Sequence, residues 1–367
     1  MKKIIRYSWM MFCIILLAVF IISCFSAYIS PKAFGFMPLF AIAFPYFFLA
    51  VLIAGIINLF IKKPLAFIML ACLILLGYKN MSATIAFNLP AKISLQKDST
   101  TLRLITWNVQ DFVDFMNKPA TAFKMLDLIA RKNADIVCMQ EFTNIEGSPR
   151  YFSIRKKMDS LGYRYYFNSE DDVNYFNHKT GFFMRGSAIF SKMPFTGSGR
   201  ININNRDMKE NLIYVDISFN NKPLRIYTTH LESFSLYTDT QHIDKDIYEI
   251  TYNRKRTIQH KLRDVELYHQ REAEIIHTAI ATAGMPVIYC GDMNAVPSSY
   301  TYHILKNNFQ DAFIEKGSGI GATFYKVLPL LRIDYCLADK RLAITGCSVI
   351  KEKLSDHYPV ITDMRWK

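Results

Sequence analysis

Eight polar residues fall where strand-like apolar runs stop, and their types suit one kind of chemistry. Asn108 closes the run LRLITWN, Glu141 closes DIVCMQE and His230 closes LRIYTTH. Asp292 and Asn294 follow PVIYC across a single glycine, Asp334 lies within RIDY, and Asp356 and His357 precede the last run in SDHYP. Each has an ordinary explanation when taken alone. Asp and Asn favour turns because their side chains hydrogen-bond the local backbone, and a single His is commonly a hydrogen-bonded structural residue. A series at successive strand ends is different, because ligand sites in packed α/β sheets form where strand ends converge. Glu141, Asp334 and Asp356 are hard oxygen donors and Asn108 adds an amide oxygen. Such donors favour Mg²⁺ or Mn²⁺ over Zn²⁺, and the chain has neither an H-E-x-x-H motif nor a C-x-x-C spacing. A carboxylate can orient and deprotonate an attacking water. A histidine can hydrogen-bond a phosphoryl oxygen or relay a proton near neutral pH, and metal and imidazoles can stabilise the charge that develops. The chemistry this set suits is attack of water on a phosphate ester.

The elements that must position these residues begin at Leu102. Short apolar runs at 102–108, 135–141, 186–192, 212–219 and 224–230 read as strands, with 212–219 and 224–230 close enough to pair as a hairpin. PVIYC, RIDYCLA and YPVITDM supply the last strands. Helical spacing appears at 121–132, where Phe123, Leu126 and Ile129 share a face, and again at 265–283. The Pro-Ser-Ser at 297–299 is placed to open a further helix. Alternating elements of this kind predict one α/β domain with mixed sheets. Cys138, Cys290 and Cys336 lie inside strand-like runs and read as buried thiols. The irregular insertion from Leu231 to about Asp264 carries NRKRTIQHKLR at 253–263, which suits either a solvated helix face or a contact with anionic headgroups or a polyphosphate.

The first ninety residues have a different character. Three apolar stretches, about 7–28, 34–61 and 65–87, are long enough for membrane spans, with Lys79 off-centre in the third. Nine of the 44 basic residues but only one of the 31 acidic ones fall within residues 1–98. The net charge of +13 is therefore mostly membrane-flanking charge and not the footprint of a nucleic-acid binder. Lys2, Lys3, Arg6, Lys62 and Lys63 against Lys32 place the N-terminus and the second loop in the cytoplasm. Three spans then put the rest of the chain outside the cytoplasmic membrane, whereas two would keep it inside. Ile-Ile-Ser-Cys at 21–24 has the look of a lipoprotein cleavage box, but two more apolar stretches follow it. The predicted organisation is a membrane anchor at 1–90, a linker at 91–101 and a catalytic domain at 102–367.

Read in order, TWN (106–108), MQE (139–141), TTHL (228–231), GDMN (291–294), RIDY (332–335) and SDHYP (355–359) resemble the motifs of the endonuclease/exonuclease/phosphatase superfamily. That group includes pancreatic-type DNases, abasic-site endonucleases, neutral sphingomyelinases and inositol polyphosphate 5-phosphatases. The resemblance covers residues 102–366 and implies a four-layer α-β-β-α sandwich with the site at one rim. It implies that Asn108 and Glu141 belong to a Mg²⁺ site, with Glu141 the direct ligand, and that Asp356 serves a second or alternative metal position. It implies that Asp292 aligns the nucleophilic water with Asn294 beside it, that Asp334 orients His357, and that His357 and His230 contact the phosphate. Abasic-site endonucleases carry Asn where this chain has His230, so the chain sides with the DNase and sphingomyelinase branches. The substrate does not follow from these residues, because they read the phosphate and not what is attached to it. A mildly basic domain held at a bilayer favours a lipid headgroup or small phosphodiester over duplex DNA; cleavage of DNA or RNA on the same fold is the alternative. A catalytically silent binding protein would be expected to lack a residue such as Glu141, Asp292 or His357, and a transporter would need more intramembrane charge than Lys79.

Overall fold

The computed structural model describes residues 2–90, 93–94, 96–113, 119–176, 181–203, 211–233, 258–326, 328 and 330–367. Four helices come first: α1 (Lys2–Cys24), α2 (Met37–Ile61), α3 (Lys63–Leu75) and α4 (Tyr78–Thr84). α1 and α2 are each long and apolar enough to cross a membrane, while α3 and α4 are bent by 57° and make a third such element only if taken together. The bend falls at Gly77, where a Cβ would lie 2.9 Å from the ring of Phe20, so the small residue lets α1 approach closely. α1 ends at Cys24, not at Tyr28, and α2 begins at Met37, not at Phe34. Turns occupy much of the interval, and Ser26 and Ser30 there find partners far along the chain.

The remaining strands and helices follow in chain order. The strands are β1 (Ala86–Phe87), β2 (Leu102–Asn108), β3 (Ile136–Glu146), β4 (Tyr165–Asn168), β5 (Asp172–Phe176), β6 (Gly181–Ser191), β7 (Phe195–Asn202), β8 (Asn211–Phe219), β9 (Lys222–His230), β10 (Val287–Asp292), β11 (Gln310–Asp311), β12 (Ser318–Gly319), β13 (Asp334–Ala338), β14 (Leu342–Val349) and β15 (Val360–Trp366). The helices are α5 (Pro119–Lys132), α6 (Ile154–Ser160), α7 (Ile258–Ala281), α8 (Tyr300–Lys306) and α9 (Ala312–Lys316). One large sheet has the order β14-β15-β2-β3-β6-β4, with β5 also on β6; the other has the order β11-β13-β10-β9-β8-β7. Each is mixed, with a parallel pair inside it: β2 with β3, and β9 with β10. A short β1–β12 ribbon joins the chain just after α4 to the region after α9.

The layering follows from alternation along the strands. Leu102 and Leu104 of β2 enter the core between the two sheets, while Ile105 and Trp107 face the opposite way, into a core built with α5 and α6. β2 is therefore buried along its whole length, as expected of a strand covered on both faces. Ile213, Ile226 and Ile288 oppose it across the inter-sheet core, each contributing about 1.5–3 kcal/mol by leaving water. The outer face of the second sheet packs Tyr227, Tyr289 and Leu337 against Ala273 and Ile276 of α7 and Tyr302 and Leu305 of α8. The result is the four-layer α-β-β-α sandwich. Cys138, Cys290 and Cys336 lie in its centre as free, buried thiols.

Some elements exceed the expectations from sequence. β3 runs five residues beyond Glu141, and β4, β5, β7 and β14 carry weak local signals. β7, FTGSGRIN, alternates half-buried and exposed positions with no fully buried residue, so no apolar run marks it. The insertion after Leu231 falls outside the described residues at 234–257, and the basic run 253–263 with it up to the start of α7.

Candidate active site

Strand register carries three of the eight residues into one row. On β10, Asp292 stands directly opposite His230 of β9 on one side and Asp334 of β13 on the other. The approach requires Gly291. Its φ is +145°, and a Cβ there would meet the Thr229 carbonyl oxygen at 2.1 Å. In the facing sheet Asn108 pairs with Gln140, and Glu141 follows within a register shift between Met139 and Phe142. Glu141 has φ 47°, a left-handed conformation rare for such a residue, as is that of Asn294 at 46°.

The side chains converge on Asp292 and Glu141. Asn108 Nδ2 donates to Asp292 Oδ2 at 3.0 Å and to Glu141 Oε1 at 2.9 Å, tying the two sheets together. Asp292 Oδ1 accepts from the backbone N–H of Asn294 at 2.9 Å. Asp292 Oδ2 lies 3.5 Å from His357 Nε2 and 3.8 Å from His230 Nε2. His230 Nε2 is also 3.7 Å from Glu141 Oε1 and 3.1 Å from Asn294 Nδ2, which in turn donates to the Leu231 carbonyl. His357 Nδ1 bonds Asp334 Oδ2 at 2.9 Å, which orients the ring. Seven of the eight residues are thus linked side chain to side chain. Asp356 joins them through charge, since its carboxyl feels both His357 and Glu141.

Burial and charge shape the titration of this group. Burial and the neighbouring Asp334 push the Asp292 carboxyl up to about 6, against the pull of His357 and His230. Burial alone would lower His357, but the carboxylates of Asp334 and Asp292 prevail and raise it to about 10. Glu141 goes the other way: burial acts to raise it, but His230, the Asn108 hydrogen bond and His357 together leave it below the usual range. Asp356 is raised by burial and by the charge of Glu141.

Several contributors have no local mark in the sequence. Gln110 Oε1 accepts from the backbone N–H of Asp356, and Ser355 Oγ donates to the Asn108 carbonyl. Arg185 of β6 pairs with Asp111, and its charge reaches Glu141. Phe324 lays its ring 4.8 Å from that of His357, and Thr323 Oγ1 accepts from the backbone N–H of Asp334. Apart from Ser355, which opens the SDHYP run, nothing in their own neighbourhoods sets them apart, because each acts on a residue brought near by folding.

Residues 105–357 match the Endonuclease/Exonuclease/phosphatase family. The chain belongs to that family. Its first part, residues 2–84, matches a second family described only as a domain of unknown function (DUF8431). No curated protein matches the chain in sequence. Among solved structures it is similar to an endonuclease/exonuclease/phosphatase protein from Beutenbergia cavernae, at 16% identity and TM-score 0.53, covering 73% of this chain and 72% of that one. It is similar to the catalytic domain of human Nocturnin, solved with a bound sulfate anion, at 18% identity and TM-score 0.51, covering 73% and 94%. It also resembles D. rerio TDP2 complexed with single strand DNA product, at 19% identity and TM-score 0.50, covering 72% and 99%. At these identities the likeness is one of fold.

Endonuclease/exonuclease/phosphatase enzymes use divalent metals, and two groups of donors here bear on where one would sit. Asp292, Asp334 and His357 bring ligand atoms within 4.8 Å of one another. In that group His357 Nδ1 is already held by Asp334. Glu141 and Asp356 raise a different demand. Glu141 pushes the Asp356 carboxyl up, and a hard cation shared by these oxygens would relieve the repulsion. The donor chemistry of Glu141 and Asp356 therefore fits a hard cation, beside Asn108, which turns its Nδ2 to Glu141 and its Oδ1 to the Gln110 N–H.

Proposed function

We propose that this chain is a membrane-anchored phosphoester hydrolase whose water nucleophile is aligned by Asp292. The observation that carries the reading is the placing of Asp292, with one carboxylate oxygen fixed by the Asn294 N–H and the other facing both imidazoles and Asn108. An ionised Asp292 can accept the proton of an attacking water. The His357 imidazolium, held by Asp334, stabilises negative charge growing on the phosphoryl oxygens, and His230 flanks Asp292 from the other side. Asn294 keeps His230 and the Leu231 turn in place. Glu141, Asn108 and Asp356 would hold Mg²⁺ or Mn²⁺, which supplies Lewis-acid polarisation of the phosphate.

The basic residues flanking the apolar helices support an N-terminus in the cytoplasm, residues 1–90 as anchor, 91–101 as linker and the domain at 102–367 outside the inner membrane. A nuclease reading of the same site draws on D. rerio TDP2, solved with its single strand DNA product. The test uses bis(p-nitrophenyl) phosphate. EDTA is expected to abolish hydrolysis and Mg²⁺ or Mn²⁺ to restore it, and Asp292→Asn should lower kcat by about 10²–10⁴ with the fold intact. Indifference to chelator removes the metal from the reading, and an Asp292→Asn variant at full activity removes the assignment itself.

A further inference from the structure

The segment that braces the catalytic pair also touches the membrane helices. Thr323 Oγ1 accepts from the backbone N–H groups of Ile333 and Asp334 at 3.0 and 3.1 Å. Thr323 and Phe324 both donate through their backbone N–H to the Leu331 carbonyl, and the Thr323 carbonyl accepts from Tyr358 N at 2.7 Å. The Phe324 ring lies beside His357, and Tyr325 stacks on Tyr358 while its hydroxyl donates to the Ser355 carbonyl. At the other end of the segment, Leu330 and Leu331 line a cleft with Ala41, Ile42, Pro45 and Tyr46 of α2. Ser298, six residues after Asp292, closes the same cleft. Its hydroxyl donates to the Ala41 carbonyl at 2.7 Å, and its carbonyl accepts from Ser26 Oγ at 2.7 Å.

Helix length fixes how deep that cleft lies. α2 has 25 residues, about 37 Å of helix at ~1.5 Å per residue. This exceeds a hydrocarbon core of about 30 Å by roughly 7 Å, or some five residues. Lys62 and Lys63 follow the last turn directly and hold that end among the headgroups. The surplus therefore falls at the Met37 end, and the hydrocarbon boundary lies near Ala41–Tyr46, level with Leu330 and Leu331. The bracing segment also packs with basic and aromatic residues. Lys351 Nζ sits 4.5 Å from the Tyr358 ring centre and Lys353 Nζ 5.3 Å from that of Tyr325, placing cations where anionic headgroups collect.

We propose that the substrate is a phosphodiester-headed lipid of the leaflet that α2 enters at Met37. Its acyl chains stay in the bilayer against Leu330 and Leu331 while its headgroup phosphate reaches Asp292 and His357. The inference rests on the hydrolase reading above and adds what is attached to the phosphate. One water is consumed per lipid: its oxygen forms a new bond to phosphorus, one P–O ester bond breaks, Asp292 takes the water's proton, the departing alkoxide takes a proton from the His357 imidazolium to leave as an alcohol, and the proton on Asp292 restores His357. The products are one phosphomonoester and one alcohol.

The full chain reconstituted in phosphatidylglycerol vesicles tests this, with lipid hydrolysis followed by ³¹P NMR beside bis(p-nitrophenyl) phosphate in solution. Leu330→Asp is expected to lower the ratio of lipid to soluble-diester rates by about tenfold or more, as loss of a leucine side chain against the acyl chains implies. Leu330→Ala, which carries no charge to disturb folding, should lower the same ratio less. An unchanged ratio in both variants overturns the proposal. A wild-type chain that cleaves the soluble diester but no vesicle lipid, or that prefers single-stranded DNA to both, overturns it and leaves the hydrolase reading standing. A folded chain that cleaves none of them, with Mg²⁺ present, defeats both.

Discussion

Asp292 shares the centre of the site with two imidazoles and faces a second acid, and this arrangement sets its titration. With its carboxyl raised to about 6, Asp292 is protonated below that pH and cannot take a proton from water. The rate should therefore climb as pH rises through about 6. His357, raised to about 10, stays cationic through neutrality and loses its charge only as pH passes that value. The expected profile of kcat/KM is a plateau between these limits. Asp334→Asn removes the carboxylate that does most to raise His357 and that also pushes up Asp292, so both the alkaline and the acid limb should move to lower pH. A pH profile unaltered by Asp334→Asn would deny Asp334 its orienting role.

Elements deliver these residues through backbone geometry that tolerates little change. Gly291 holds β10 against β9 one residue before Asp292, and any Cβ there would collide with backbone rather than a movable side chain. Gly291→Ala should lower the melting temperature and hydrolysis together, since the His230–Asp292 row has to shift to admit the methyl group. A variant that melts like the parent would show that the strands part at no cost. Asp311 links two elements in another way. It caps α9 through the N–H groups of Phe313 and Ile314, and it pairs with the buried Arg332 at 2.7 Å. Arg332 also donates to the Ala83 carbonyl at the end of α4. Asp311→Ala strands that guanidinium away from water, and a loss of about 3–5 kcal/mol is expected in thermal unfolding of the detergent-solubilised chain. A loss below ~1 kcal/mol would place the pair on the level of an exposed ion pair.

Across the whole molecule, the apolar N-terminal helices and the α-β-β-α sandwich share polar contacts and not only a covalent connection. Ser26 and Ser30 bond Ser298 and Gln270, Tyr28 meets the ring of His303, and Asn88 donates to the carbonyls of Ile314 and Gly317. In the proposed topology α3 and α4 cross as one bent element, which would put the sandwich on the side opposite the N-terminus. Alkaline phosphatase fused after Lys367 is then expected to be active in intact cells; an inactive fusion would mean that the α3–α4 pair turns back and leaves the reporter in the reducing cytoplasm.

Sequence alone determined the kinds of residue available and the periodicity that carries them. Runs such as LRLITWN and PVIYC alternate apolar side chains to two faces and then stop at a polar residue, and that pattern is local, so it survives in one dimension. It was enough to place seven of the eight candidate residues at or beside element ends, Glu141 lying inside the longer β3, and to read one α/β domain with mixed sheets behind apolar helices; the four-layer sandwich was what the family resemblance implied. Only the tertiary structure decided which ends are neighbours: Asp292 between His230 and Asp334, Asn108 bridging to Glu141, Phe324 against His357 and Leu331 against α2. These contacts join residues far apart in the chain, and their energy comes from burial and register that no local window contains. For the same reason Arg185 and Thr323 could not be found in advance, for neither carries a mark of its role until β6 and the Phe324 segment are packed against the strand ends they serve.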